Sequence, residues 1–359
     1  MASKSGGLQI VGVYGIAHAF VDASCAALVF YASATGRIPP AAAVSAVFVY
    51  NTLAFASQPL FGWFVTDVMT ARTWARVGAA LTAAAFFLSL VQAAFWPAVA
   101  LAGLGNAIFH LGGGVTSLRF EPGKATLPGI FVAPGAAGLV AGIWMGSNQW
   151  AAWLPAAALI LLVPLLRAAP SMEVARTDRL RVETGVLGFA IGALFAVVAV
   201  RAFIGAGLVL PWKSDPALLW LLTAAVVLGK ASGGFLSDRY GRVLVGVGAL
   251  TVSVPLLVFG PSWAALGIAG MFLFNMTMPV TLVAMADAMP ERPGFAFGLT
   301  CLGLFVGALP LTLHLVGGLD ATVAGVLVLF SAALLWLGLS KRHRIGAATK
   351  LLEIGSQEA

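Results

Sequence analysis

The chain has 359 residues, 60% of them hydrophobic and 9% charged, with a mean hydropathy of +1.00 and a formal net charge of +7. Soluble domains carry about 25% charged residues, so this composition excludes a soluble enzyme or binding module and fits a chain lying mostly in lipid. The surplus of positive charge says nothing about partners until the basic residues are placed.

A helix that crosses a bilayer needs about 20 mostly apolar residues. Twelve such segments are predicted, over residues 8–33, 41–65, 73–94, 97–118, 127–148, 151–168, 186–209, 217–236, 243–261, 263–288, 294–317 and 321–340. The first is too long, and too polar in its middle, to read as a cleavable signal. Cys25 and Cys301 fall inside apolar segments and read as packed small hydrophobes, not as a disulfide or metal pair. Between segments six and seven, residues 170–185 (PSMEVARTDRLRVETG) form the one sustained polar linker. It divides the chain into a six-helix bundle (1–169), the linker, a second bundle (186–340) and a tail (341–359). The predicted fold class is therefore an all-α polytopic membrane protein with 12 transmembrane helices in two six-helix halves.

Basic residues favour the cytoplasmic side of a membrane. With the N-terminus cytoplasmic, Arg37 and Lys213 alone fall outside and Arg201 and Lys230 lie within segments, so sixteen of the twenty fall on the cytoplasmic side. The charge is thus read as a topology signal, not a nucleic-acid footprint, and the Lys341–Arg344 run as a stop-transfer anchor. Both termini are expected in the cytoplasm.

Ionisable groups at membrane depth are costly and mark candidate functional positions. His18 and Asp22 are four apart on one helix face. Asp22 is the one acid well inside the first half. It reads either as a proton carrier, with His18 tuning or relaying, or as the permanent partner of a cation such as Arg201. Arg201 lies roughly 12 Å from the outer end of segment seven at 1.5 Å per residue, far to snorkel. It either attracts an anionic substrate group or forms that structural pair. Lys230, about two turns from the end of segment eight, either snorkels to the cytoplasmic surface or contacts substrate directly. His110 either joins a cavity or links helices, and His314 is read as structural or near the outer surface. Asn51, Gln58, Asn106 and Asn275 either line a cavity or join helices.

No Ser/His/Asp nucleophile set and no metal-ligand cluster at helical spacing is legible, so no catalytic or metal residues and no cofactor are assigned. Gly229-Lys230-Ala231 lacks the Ser/Thr of a phosphate-binding loop, which disfavours ATP-driven pumping.

Several motifs carry a family resemblance. Residues 228–243 read LGKASGGFLSDRYGRV. Their G-x-x-x-D-R-x-G-R pattern (Gly234, Asp238, Arg239, Gly241, Arg242) resembles the loop signature of the major facilitator superfamily of secondary transporters. In that family the Asp sits against the N-terminus of a neighbouring helix and the Arg pair ties helix ends on the cytoplasmic side, so these residues are expected to form a conformational gate. A looser copy in the first half has Gly62 and Asp67, one residue further apart, with Val68 in place of the Arg and Arg72 following. Asp287, near the end of segment ten, is either a gate partner of Arg239 or Arg242 or an ordinary turn residue. Ala133-Pro134-Gly135 through Gly138 is similar to the helix-five motif of proton-coupled exporters, and reads equally as packing.

Further stretches resemble the fosmidomycin-resistance-type exporter branch. They are His18 and Asp22, with Val21 where that branch has Asn; Gln58-Pro59-Leu60-Phe61-Gly62; Gly103 through His110, followed by Leu111 instead of Pro; Val200-Arg201-Ala202; Gly229-Lys230 ahead of Gly233-Gly234; and Met289-Pro290 through Gly294 and Gly298-Leu299. The resemblance implies alternating access and proton-coupled export of a small organic solute or drug, anionic compounds included, across a bacterial inner membrane by a monomer. Its partners would be that solute, protons and the lipid bilayer. The alternative is uptake or facilitated diffusion of a small metabolite, with Asp22 structural.

Overall fold

The computed structural model describes residues 4–167 and 184–357. Most of the expected linker, with Arg176, Arg179 and Arg181, lies outside the described residues. Among the described residues there are twelve helical rods: α1 Lys4–Ala34, α2 Pro40–Gly62, α3 Val68–Leu88, α4 Phe95–Phe120, α5 Thr126–Ser147, α6 Leu154–Leu165, α7 Thr184–Gly207, α8 Pro216–Tyr240, α9 Arg242–Val258, α10 Ala264–Ala288, α11 Pro293–Thr312 and α12 Ala321–Gln357. Among the described residues, nine are long and apolar enough to cross a membrane; α6 and α9 are shorter apolar helices, and α3 carries Arg72 and Arg76. Large apolar side chains such as Leu60, Phe64, Leu161, Leu244 and Trp263 stand on the outer surface. An apolar surface of that extent is stable against lipid and not against water. The protein is an all-α, multi-pass membrane protein.

The rods differ from the sequence expectation where local chemistry overrides hydropathy. α3 begins five residues before the expected 73, because Asp67 caps it by accepting from the Met69 and Thr70 amides, both at 2.9 Å. It ends at Leu88, and a 3₁₀ turn at Gln92–Ala94 leads into α4. α2 holds a π turn at Thr52–Ala56. α11 stops at Thr312 instead of 317, with His314 in an exposed turn at φ 54°. α12 continues past the expected 340 to Gln357.

α1 packs on α4, α5 and α6, and α3 on α4; α7 packs on α10, α11 and α12, and α9 on α10 and α12. Contacts between these two groups run chiefly through α2 with α11 and α5 with α8. Close crossings depend on missing side chains: a Cβ at Gly78 of α3 would meet the Phe109 amide and Gly105 carbonyl of α4, and one at Gly112 would meet the Ala71 and Ala75 backbone. Gly78→Val is therefore expected to destabilise the protein by about 3 kcal/mol, because backbone cannot yield as a side chain does. Gly248→Ala, which faces open space, is the matched control. Thermal unfolding in detergent should show a clearly lowered midpoint for the first and none for the second.

Candidate functional site

Pro134 has no amide hydrogen with which to continue a helical ladder, and α5 breaks between Val132 and Gly135. At the break the Phe131 carbonyl faces α1 and lies 2.8 Å from His18 Nδ1. Asp22, one turn further along α1, has Oδ2 3.2 Å from His18 Nε2 and Oδ1 3.9 Å from His110 Nε2. Asn106 of α4 donates from Nδ2 to Asp22 Oδ1 at 3.0 Å and to the Tyr50 hydroxyl oxygen of α2 at 2.8 Å. His110 Nδ1 lies 2.9 Å from the Asn106 carbonyl, and its Nε2 lies 2.8 Å from His18 Nε2. Both imidazoles are buried, with the Phe131 ring packed 5.0 Å from His18.

This cluster corrects two expectations. His18, Asp22 and His110 bring three ligand-type atoms within 4.8 Å of one another. The third arrives from α4, which no spacing argument within one helix reaches. The proposed pairing of Asp22 with Arg201 is also absent among the described residues: Asp22 is held by His18, His110 and Asn106, while Arg201 bonds elsewhere.

Arg201 belongs to a separate cavity of about 440 Å³ between α5, α7, α8, α10 and α11. It donates from a terminal nitrogen to the Phe274 carbonyl at 3.0 Å, stacks 4.9 Å over the Phe274 ring, and leaves its buried Nε without a hydrogen-bond partner. Lys230 lines the same cavity and does not snorkel to the surface: its Nζ points across to α5, 3.5 Å from the Val132 carbonyl. The physical reason is the packing of α8, whose Gly229 and Gly233 lie on the α10 backbone and turn the Lys230 face toward α5. Asn275 and Thr281 also line the cavity, as does Lys213, from the turn between α7 and α8, whose ammonium burial pushes below its ordinary range. The lining holds three cations and no carboxylate. Of the six membrane-depth groups, Arg201 and Lys230 line this cavity. His18, Asp22 and His110 sit on one side of the α5 break, Arg201 and Lys230 on the other, and His314 at an exposed end.

At one end of the bundle the two groups of helices meet. Asp238, in the last turn of α8, accepts from the Ala125 amide at 2.8 and 3.0 Å, the Thr126 amide at 2.9 Å and the Thr126 hydroxyl at 2.7 Å. It therefore caps the N-terminus of α5, where a carboxylate meets the positive end of the helix. Gly234 packs directly on the Ala125 carbonyl, and Gly62 on Gly294 of α11. Gly241 holds φ 95° between α8 and α9, a conformation that favours glycine. Arg242 pairs with Asp287 at 2.8 Å and also donates to the Gly123 carbonyl, whereas Arg239 lies 5.4 Å over the Tyr240 ring.

Asp67 does not repeat the Asp238 arrangement. With one extra residue before it, it caps its own helix α3 instead of reaching across; burial works to raise its carboxyl, but bonds from Thr70 and Met69 hold it below the ordinary range. Arg292 supplies the crossing there, donating to the Trp63 carbonyl at 3.1 Å and lying 4.2 Å over its ring. Arg72 has a buried Nε with no hydrogen-bond partner. Gln58 lies under Gly298 at the α2–α11 crossing, and Asn51, half-buried on α2, falls in neither cluster. Sequence reasoning missed Tyr50, Arg292 and the Phe131 carbonyl. Of these only Tyr50, a lone phenol in an apolar segment, left a signal.

No protein-family model matches the chain, and no curated protein sequence does. Solved structures do. The chain is similar to a proton:xylose symporter, XylE, bound to 6-bromo-6-deoxy-D-glucose (12% identity, 92% of this chain and 94% of that one, TM-score 0.63). It is also similar to the E. coli fucose:proton symporter FucP (10%, 93% and 98%, 0.60) and to a bacterial homologue of the iron transporter ferroportin in an outward-facing state (13%, 94% and 99%, 0.56). At these identities the likeness concerns architecture, and over nine-tenths of its length this chain has the major facilitator fold.

Proposed function

We propose that the chain is a secondary transporter of the major facilitator superfamily that moves a small organic anion by alternating access, coupled to protons, in the direction of export. The observation that carries this is the cavity between α5 and the second group of helices, lined by Arg201, Lys213 and Lys230 with no carboxylate among its lining residues. Three cations with no carboxylate among the lining residues favour a carboxylate, phosphonate or phosphate group, and the apolar remainder suits a small organic body. The Asp238–α5 contact serves as the gate at one end, and the placement of basic residues supports a cytoplasmic position for that end. The halves divide at 170–185, into bundles of 1–169 and 186–340. The membrane is a bacterial inner membrane, and the direction and the exporter branch rest on the sequence motifs.

The test is flux in proteoliposomes under an imposed pH gradient, with a panel of small phosphonates and carboxylates. Gradient-driven accumulation of at least one anion, reversed when the gradient is reversed, is the expected result. Gradient-independent equilibration favours facilitated diffusion, and silence toward every anion with flux of neutral sugars overturns the anion reading. Proton-coupled uptake is the second reading, because two of the similar structures are proton symporters. The sign of the flux against the gradient separates it from export.

A further inference from the structure

The histidine cluster constrains its own proton count. His18 Nδ1 faces the Phe131 carbonyl at 2.8 Å and His110 Nδ1 faces the Asn106 carbonyl at 2.9 Å. A carbonyl only accepts, so both Nδ1 atoms carry hydrogen. A neutral imidazole has a single N–H, so two neutral rings would then present bare lone pairs at Nε2. Those two Nε2 atoms lie 2.8 Å apart, a hydrogen-bond distance and a repulsive one for two lone pairs.

We infer that His18 and His110 share one additional proton between their Nε2 atoms, neutralised by Asp22, and that this imidazole pair, and not the carboxylate, is the proton-binding unit of the protein. Asp22 accepts from Asn106 and faces both Nε2 atoms, an acceptor role suited to the ionised form. The cluster then carries one positive and one negative charge in contact, which limits the cost of burying either. Loss of the shared proton leaves facing lone pairs beside an uncompensated carboxylate. Relief requires α1 to shift against α4, or the α5 break to move, and α5 is the helix that meets α8 across the two halves. The other titratable or charged groups around the cluster are Lys230 on α8, which acts on His110, and Cys25 on α1 and Tyr50 on α2, which lie beside Asp22. The break contributes only backbone, and a Cβ at Gly135 would strike His18 Nε2 and Asp22.

A divalent metal is the competing occupant of the same three ligand atoms. Two histidine nitrogens bound at about 2.0–2.1 Å to one tetrahedral ion stand roughly 3.3 Å apart. The observed 2.8 Å is shorter than that and matches N–H···N.

That the shared proton is the coupling ion rests on the transporter reading; its existence does not. The experiment is therefore spectroscopic first. Purified protein labelled with ¹⁵N-histidine is examined by NMR in nanodiscs, with His18→Gln and His110→Gln for assignment, and by infrared difference spectroscopy between acid and alkaline pH. The expected result is one N–H···N resonance linking the two rings, lost in either variant. Deprotonation should give imidazole bands without a protonated-carboxyl band. A carboxyl band that vanishes in Asp22→Asn, two independently titrating rings, or stoichiometric metal retained after chelation each overturns the inference. In proteoliposomes, each His→Gln variant should lower gradient-driven flux at least tenfold while solute counterflow persists. Absence of flux in the unmodified protein would count against the transporter reading alone, because the spectra stand without it.

Discussion

Asp238→Ala is expected to part the end of the bundle where α8 meets the start of α5. The carboxylate receives hydrogen bonds from three donors, the Ala125 amide shared between both oxygens and the Thr126 amide and hydroxyl, all at the start of α5. Hydrogen bonds to charged groups contribute about 1.5–3 kcal/mol each and do not add fully within one network. Even about 3 kcal/mol in total corresponds to a population change of roughly a hundredfold between closed and open forms. Arg242–Asp287 lies beside this contact, and Arg292–Trp63 makes a separate crossing. Loss of Asp238 alone should therefore shift the equilibrium without unfolding the protein. Spin labels at Lys124→Cys and Tyr240→Cys report the separation directly, since Cys25 and Cys301 are buried and leave the background clean. A longer, broader distance distribution in the Asp238→Ala background is the expected outcome; an unchanged one removes the gate assignment. Asp67→Ala, whose carboxylate caps only its own helix, should leave the distance alone and cost about 1 kcal/mol of stability.

That contrast between two aspartates shows where sequence reading works in this chain. Hydropathy alone locates all twelve rods, because a lipid-embedded helix must be apolar along its length and little else in the chain is. The cap at Asp238 was legible through the family resemblance of residues 228–243, which implies an Asp against a neighbouring helix N-terminus, and the structure has it there. Asp67 was misread because the chain leaves the helix after Gly62 and Asp67 is the extended N-cap of the next one, whereas Gly234 to Asp238 is continuous helix, and a motif match tolerates what geometry does not. The candidate site was legible as a set of residues but not as an arrangement. His18 and Asp22 share a face by spacing, yet His110 joins them only through the packing of α1 on α4. Lys230 and Arg201 are assigned to one cavity only once α5 is seen between them and Asp22. In a membrane protein every face is apolar, so periodicity does not say which face turns inward.

Arg201→Met should separate function from structure by moving stability and transport in opposite directions. Arg201 is buried, makes one hydrogen bond to the Phe274 carbonyl, and has its Nε unpartnered. Among the described residues no carboxylate pairs with it. A buried cation without a counter-charge costs free energy, and replacing it with an apolar side chain of similar length commonly stabilises a fold. If Arg201 existed to tie α7 to α10, its loss would lower the thermal midpoint, because the bond to Phe274 would go with it. If it is held unpaired for an incoming anion, the apo protein should unfold at the same or a higher temperature, while affinity for the transported anion falls by about a hundredfold, the equivalent of about 3 kcal/mol for a bidentate charge-assisted contact. Arg201→Lys should recover only part of that affinity, since an ammonium restores the charge without the planar fork. The measurement pairs thermal unfolding with binding of the same anion to the same sample. A lowered midpoint with unaltered binding would return Arg201 to the role of helix tie, and would leave Lys230 and Lys213 as the cavity's remaining cations.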